Sequence, residues 1–377
     1  MVTGWRLEVS MSASLPVHGT PRSLGYRMPA EWEPHEATWL AWPHNREDWP
    51  GKFHPIPWLY AEIVRLLARH ETVRLLVQGE QEEKRARGML RRAGANLDRV
   101  AFHRWPTNRV WTRDSGPLFV RNAAGQTGLT NWRFNAWAKY DNWKLDGQIP
   151  GRVAELLRLP MWEPAVPMEG GDPRRLVLEG GSIDTNGRGA LLTTEECLLS
   201  EVQQRNPGVS RERLEQALGD YLGIDQVIWL GCGIAGDDTH GHVDDISRFA
   251  GPTTIVTAVE PDTRDPNHAP LADNLARLRA ARTLDGKRFE VIELPMPRPV
   301  VFHGQRLPAS YANFYIANGL VLVPTFHDPN DRVALEILAG LFPDREVIGI
   351  HAVDLVWGLG TLHCMTQQQP AALPSEA

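Results

Sequence analysis

The chain has 377 residues, of which 42% are apolar and 23% charged, and its formal net charge is −6, an ordinary balance for a globular protein. Acids and bases are interspersed, which argues against a nucleic-acid patch or a polybasic membrane anchor and favours a cationic ligand over a phosphorylated one. Three cysteines are too few for a disulfide scaffold, and no stretch approaches membrane-spanning length.

In chain order, residues 1–20 lack an apolar core of signal-peptide length, which with the few cysteines points to the cytoplasm. Residues 1–24 read as a loose extension. Residues 38–42 then read as a strand, 58–70 as a helix and 73–77 as a strand. Residues 116–120 and 126–134 predict two strands, followed by a helix near 152–157 and a poor strand near Ala165. Residues 176–178 and 183–185 predict strand around Gly180-Gly181. Asn186-Gly187 is a hairpin turn signal, and 190–193 returns. Leu214, Leu218 and Leu222 give 211–222 helical spacing, and 226–230 is a short buried strand. The order recurs with a hairpin over 246–250 and 253–259, a helix over 271–281 and a strand over 289–294. It recurs again with 314–317, Asn318-Gly319, 320–324, a helix from Asp328-Pro329-Asn330-Asp331 to about Leu341, and a strand over 346–350. Residues 362–366 supply the strand that pairs with 38–42, so a fifth unit is split between the two ends of the chain. Residues 371–377 read as a loose tail.

Repeated strand–strand–helix–strand units with no dividing linker predict one closed, propeller-like domain over residues 25–370. A doubly wound sheet would need a glycine-rich phosphate loop after its first strand, which is missing. The repeat also aligns polar residues. Asp114 precedes the first strand of one unit, and Glu179 lies within that of the next. His242 and Asp244 precede that of a third, and Cys364 lies in that of the split unit. In a ring, these positions converge.

A thiol, an imidazole and several carboxylates in one pocket define a chemistry. Cys364, on a glycine-bounded turn beside His363, is the candidate nucleophile. His242 can move a proton to a leaving amine and then activate water. Asp114 and Asp244 match a planar guanidinium in bidentate fashion, and Glu179 completes the cage or relays protons with His242. Cys197 and Cys232 read as structural. Two rivals stand beside this reading. His240-Gly241-His242 with Asp244 has metal-hydrolase spacing, to which Asp237, Asp238, His351 or His363 would add ligands. The other rival is a guanidinium-binding protein without activity.

Several motifs in fixed order carry a resemblance: Met28-Pro29-Ala30-Glu31-Trp32-Glu33-Pro34-His35, Trp111-Thr112-Arg113-Asp114-Ser115-Gly116-Pro117, Leu178-Glu179-Gly180-Gly181-Ser182, Gly241-His242-Val243-Asp244 and Leu362-His363-Cys364-Met365-Thr366. From about Gly25 to Pro370 the chain resembles the agmatine deiminases, within the bacterial peptidyl-arginine-deiminase-like group of the guanidine-modifying superfamily. The resemblance implies a five-bladed α/β propeller of ββαβ units with pseudo-fivefold symmetry. It implies hydrolysis of agmatine with no cofactor and no metal, and often a homodimer. It assigns Cys364 as nucleophile, His242 as general acid/base, Asp114 and Asp244 to the guanidinium, Glu179 as a catalytic carboxylate and Trp111 as the wall beside the substrate chain. The chain departs from the agmatine pattern at Glu47-Asp48-Trp49, Thr239-His240-Gly241, Ala138-Lys139-Tyr140 and Gly358-Leu359-Gly360-Thr361. Glu47 or Asp48 is therefore expected to meet the distal ammonium. An arginine substrate, free or peptidyl, is the alternative, with Arg46, Lys52 or Lys139 as the partner of a free α-carboxylate.

Overall fold

The computed structural model of the protein describes residues 18–168 and 170–372. It is a mixed α/β fold whose strands form five sheets of three or four strands, plus two short ribbons. Four sheets repeat one plan. An antiparallel hairpin is followed by a helix, and the chain then returns as a strand parallel to the hairpin's second strand. The strands Asp184–Thr185, Ala190–Thr194 and Gln226–Leu230 show it, with the helix Arg211–Leu222 as crossover. So do Ser247–Phe249, Thr254–Val259 and Glu290–Pro295 around the helix His268–Ala280. Tyr315–Ala317, Leu320–Thr325 and Glu346–His351 enclose the helix Asn330–Leu341. Leu118–Asn122, Thr127–Thr130 and Met161–Trp162 enclose Ile149–Leu157, with Tyr26–Arg27 added at the edge.

The fifth sheet joins the two ends of the sequence. Gln367–Pro370 lies antiparallel to His35–Ala41, which is followed by the helix Ile56–Leu67 and the parallel strand Thr72–Leu76. A further helix, Glu80–Ala93, and strand, Val100–His103, extend this sheet. The expectations did not include them, because Glu80–Ala93 is charge-rich and has only three buried residues, Glu82, Ala86 and Leu90.

Three further expectations need correcting. The third strand placed near Ala165 is Met161–Trp162 instead, while Ala165–Met168 pairs with Gly171–Arg175 in a separate ribbon. Residues 176–178 do not form a ladder; Val177 makes one isolated bridge to Arg133. Glu179 and Cys364 are not in strands. Glu179 caps the short turn Gly180–Ser182, and Cys364 sits in the turn before Gln367–Pro370. A side chain in a ladder would have its direction dictated by the pleat. Outside a ladder it is free to be aimed, and here Glu179 and Cys364 sit at turns while Asp114 and Asp244 sit in the short helices Thr112–Ser115 and Val243–Asp245, all ahead of the first strands.

Residues 1–17 and 373–377, most of the two expected loose ends, lie outside the described residues. Residues 19–24 pack onto the body. Trp162 Nε1 donates to the Gly19 carbonyl at 3.0 Å, and Arg22 Nη1 donates to the Ile224 carbonyl at 2.9 Å. Among the described residues no helix is long and apolar enough to cross a membrane.

Candidate active site

Segments from several units meet at a cavity of about 550 Å³ whose lining includes Cys364, Asp114, Trp111, Trp137, Asp48 and Arg109. The turn carrying Cys364 needs its glycine. A Cβ on Gly360 would lie 2.9 Å from the Trp111 ring and 3.1 Å from Cys364 Cβ. Its neighbour Leu359 holds φ 66°, a left-handed conformation that costs a non-glycine residue energy. The Cys364 sulfur receives a hydrogen bond from Asn313 Nδ2 at 3.1 Å and lies 3.7 Å from Asp244 Oδ2. The other Nδ2 proton of Asn313 goes to Asp245 Oδ1 at 3.0 Å. Its Oδ1 accepts from Thr361 Oγ1 at 2.7 Å and from the His363 backbone at 3.0 Å. Asn313 thus ties the thiol, its turn and an acid together. Sequence reasoning missed it, since nothing local marks it out. Burial, followed by Asp244, Asp245 and Asp114, pushes the Cys364 thiol well above its ordinary pKa.

Asp114 is fixed on both oxygens. Trp137 Nε1 donates to Oδ2 at 2.9 Å, and the Gly181 backbone donates to Oδ1 at 2.9 Å. Burial pushes its carboxyl up to about 6, against the lowering charge of His242. Trp137 is presented by an unusual backbone, since Ala136, Trp137 and Ala138 hold φ of 50°, 59° and 53°. Asp244 Oδ2 accepts from His363 Nδ1 at 2.7 Å, while its Oδ1 is buried without a partner. Burial opposes its ionisation, but the bond and charge of His363 outweigh burial and hold Asp244 below the usual range. The far nitrogen of His363 meets Glu31 Oε2 at 2.8 Å, and Glu31 also pairs with Arg113 and Arg248. Glu31 lies in a quoted motif but had been given no role.

His242 is buried, with Nδ1 3.8 Å from Asp114 Oδ1 and Nε2 3.9 Å from Glu179 Oε2. Burial disfavours its cation, yet Asp114 and then Cys197 and Glu179 outweigh this and hold the imidazole well above its ordinary pKa. Burial likewise works against Glu179, but the charge of Arg205 prevails and brings it down to about 2. So the structure brings Asp114, Glu179, His242, Asp244 and Cys364 into one neighbourhood, as the sequence repeat implied.

The cavity wall is less as expected. Glu47 is exposed at its edge. Asp48 is buried and already paired, its Oδ1 accepting from Arg109 Nη1 at 2.8 Å. Burial pushes Asp48 up to about 6 despite Arg109. Its Oδ2 is buried and unpartnered. Trp111 lines the cavity and leans on Trp49, ring centroids 5.6 Å apart. None of the three cations expected at the wall is among the residues that line the cavity. Lys52 pairs with Asp354, Lys139 with Asp238, and Arg46 lines a separate cavity beside Phe53. The cation in the wall is Arg109, stacked 4.2 Å from the Tyr140 ring centroid.

The proposed histidine-pair metal set does not assemble. His240 turns to Ser200 and Glu196, and Asp237 caps its own loop through the backbone of Thr239 and Gly241. Among the described residues, the donor groups close enough to share an ion are Glu179, Cys197 and His242, and Asp244, Asp245 and Cys364.

A family model for the Porphyromonas-type peptidyl-arginine deiminases matches residues 27–370. A protein named agmatine deiminase from Pseudomonas syringae pv. syringae is 38% identical, covering 94% of this chain and 98% of its own. One of the same name from Pseudomonas fluorescens is 36% identical over the same shares. Among solved structures, agmatine deiminase of Enterococcus faecalis superposes with TM-score 0.86 at 32% identity, covering 96% of this chain and 100% of that one. A putative arginine deiminase from Porphyromonas gingivalis superposes with TM-score 0.82 at 36% identity, covering 92% and 98%.

Proposed function

Because this chain belongs to the Porphyromonas-type peptidyl-arginine deiminase family, we propose that it hydrolyses agmatine to N-carbamoylputrescine and ammonia, in the cytoplasm and without a cofactor. We read its five sheets as blades around one axis, within one catalytic domain over residues 25–370. The observation that carries the reading is a buried thiol opening onto a cavity beside two carboxylates, Asp114 and Asp244, that suit a guanidinium.

At rest Cys364 is a thiol, because burial and the nearby acids oppose a second anion. Burial and Asp244 push Asp245 well above its usual range. A guanidinium held between Asp114 and Asp244 brings the missing positive charge, and Cys364 ionises against it, its proton leaving to solvent through the cavity. The sulfur then bonds to the central carbon. His242, as imidazolium, protonates the departing nitrogen, the C–N bond breaks and ammonia leaves. The neutral imidazole then takes a proton from water, whose oxygen attacks the thiouronium carbon. The C–S bond breaks, the adduct's hydroxyl proton passes to the sulfur, and the neutral ureido product leaves Cys364 as the thiol. Asp48 Oδ2 and Glu47 are the acids available to the distal ammonium, and Trp111 flanks the methylene chain.

The test supplies agmatine, L-arginine and an arginyl peptide separately and measures ureido product and ammonia. Agmatine is expected to give the highest kcat/KM, and a preference for either arginine substrate overturns the reading. Asp114→Asn should lower kcat/KM for agmatine by roughly two to three orders of magnitude, since a buried charge pair with the substrate is lost. The sign with pH follows. Asp114 must be ionised to hold a guanidinium, so kcat/KM of the wild type should fall as pH drops through about 6. A flat profile between pH 5 and pH 7, on the order of one unit either side of that value, would remove Asp114 from the guanidinium site.

A further inference from the structure

Arg205 belongs to none of the roles described so far, yet it is fully buried and makes three directed contacts. Its Nε donates to Glu179 Oε1 at 3.0 Å. Nη1 donates to the Gln203 carbonyl at 2.9 Å, and Nη2 to the Thr239 carbonyl at 2.5 Å. Each contact leads to a different part of the site. Glu179 turns its other oxygen, Oε2, toward His242 Nε2 at 3.9 Å, and that oxygen has no other partner. Thr239 lines the cavity and lies three residues ahead of His242, in a loop turned by the left-handed residues His240 and Gly241. Gln203 in turn donates Nε2 to the carbonyls of Trp137 and Asp238, both in the cavity wall.

We propose that Arg205 is a positioning residue for the proton-transfer step, clamping Glu179 as an ionised carboxylate with one oxygen reserved for His242 while anchoring the loop that carries His242. A guanidinium suits this task, since its planar fork serves a carboxylate and two carbonyls at once, whereas an ammonium has a compact point charge on a flexible stem. Removing the cation changes the electrostatics in a defined direction. The groups facing the Glu179–His242 pair are Asp114, Cys197, Asp244 and Asp245, and none is a second cation. Loss of Arg205 leaves acids alone around the pair, so both members hold protons to higher pH. Glu179 then moves up from about 2 into the range of an assay.

The inference rests on the deiminase reading, so its test includes a readout that needs no substrate. Arg205→Met and Arg205→Lys are compared with wild type by circular dichroism, by pH profiles of kcat with saturating agmatine, and by NMR titration of the His242 ring assigned with a His242→Gln control. Arg205→Met is expected to fold, to lose about 30-fold or more in kcat with KM within about threefold, and to gain an acid limb in kcat. Its His242 midpoint moves upward, and Arg205→Lys, which keeps the charge, returns profile and midpoint toward wild type. A folded Arg205→Met with wild-type kcat profile and His242 midpoint overturns the proposal. So does a fall in kcat that leaves both unchanged, because that is what a purely structural residue would give. Should Arg205→Met fail to fold, Arg205→Lys decides alone. A several-fold fall in kcat at unchanged KM, on the order of the loss of one oriented charged hydrogen bond, together with a His242 midpoint still displaced upward from wild type, supports the clamp; wild-type kcat, or a fall that leaves profile and midpoint unchanged, overturns it. A wild type that prefers arginine to agmatine ends the agmatine reading, while the His242 midpoint still tests Arg205.

Discussion

Replacing Cys364 with serine should abolish turnover, with kcat falling by about four orders of magnitude or more, while circular dichroism and the melting transition stay close to wild type. The reasoning is specific to the surroundings of this sulfur. Its environment is hostile to anions until a cationic substrate arrives, with Asp244 3.7 Å away and burial working in the same direction. A thiol overcomes this because its ordinary pKa lies within reach of neutrality. A serine hydroxyl is far weaker as an acid, and the group that accepts from this position, Asp244 Oδ2 at 3.7 Å, is a carboxylate held below its usual range and too weak a base to activate it, while the Asn313 amide there is a donor. Serine fits the space, accepts from Asn313 and should still admit guanidine. The variant should therefore bind agmatine, as measured by calorimetry, without releasing ammonia. Retained turnover would remove Cys364 as the nucleophile.

The second large effect is expected at a residue with no side chain. An added methyl at Gly181 would stand 2.6 Å from His242 Nδ1, 2.8 Å from Asp114 Oδ1 and 3.1 Å from Asp244 Oδ2. The two carboxylates cannot retreat freely. Asp114 is held by Trp137 and by the Gly181 amide itself, and Asp244 by His363. Gly181→Ala should therefore separate the acids from the imidazole. Overpacking at such a site costs about 1–3 kcal/mol of stability. The loss in kcat/KM should be larger, on the order of a hundredfold or more, because displacements near 1 Å at reacting groups carry that penalty. Steady-state kinetics beside thermal melting checks this. A Gly181→Ala protein with wild-type kcat/KM would mean that the three side chains do not work as a unit.

Much of this was legible from the residues because each unit is patterned locally. Asn186-Gly187 and Asn318-Gly319 are turn signals, and the helices Arg211–Leu222 and Asn330–Leu341 carry their own spacing and start signals. The repeat then aligned Asp114, Glu179, His242 and Cys364 without any long-range information. What escaped depends on contacts far apart in sequence. Asn313 meets Cys364 across 51 positions, and Glu31 meets His363 across 332. The wall failed for a related reason. Arg46, Lys52 and Lys139 sit near Asp48 or the tryptophan motif in sequence, but each is drawn to another acid or ring, and Arg109 fills the position through its pairing with Asp48. The left-handed run at Ala136–Ala138 gave no warning, since none of its residues favours that conformation.

The sheet that unites Gln367–Pro370 with His35–Ala41 bears on how the enzyme emerges from the ribosome. Translation delivers these two strands roughly tens of seconds apart. During that interval the early strand lacks its neighbour, and its unpaired edge is open to other chains. The sulfur arrives with the late segment. If Cys364 is the nucleophile as we propose, a nascent or truncated product that stops short of it can build most of its sheets and still be chemically silent, so abundance of folded material need not track catalytic output when synthesis stalls.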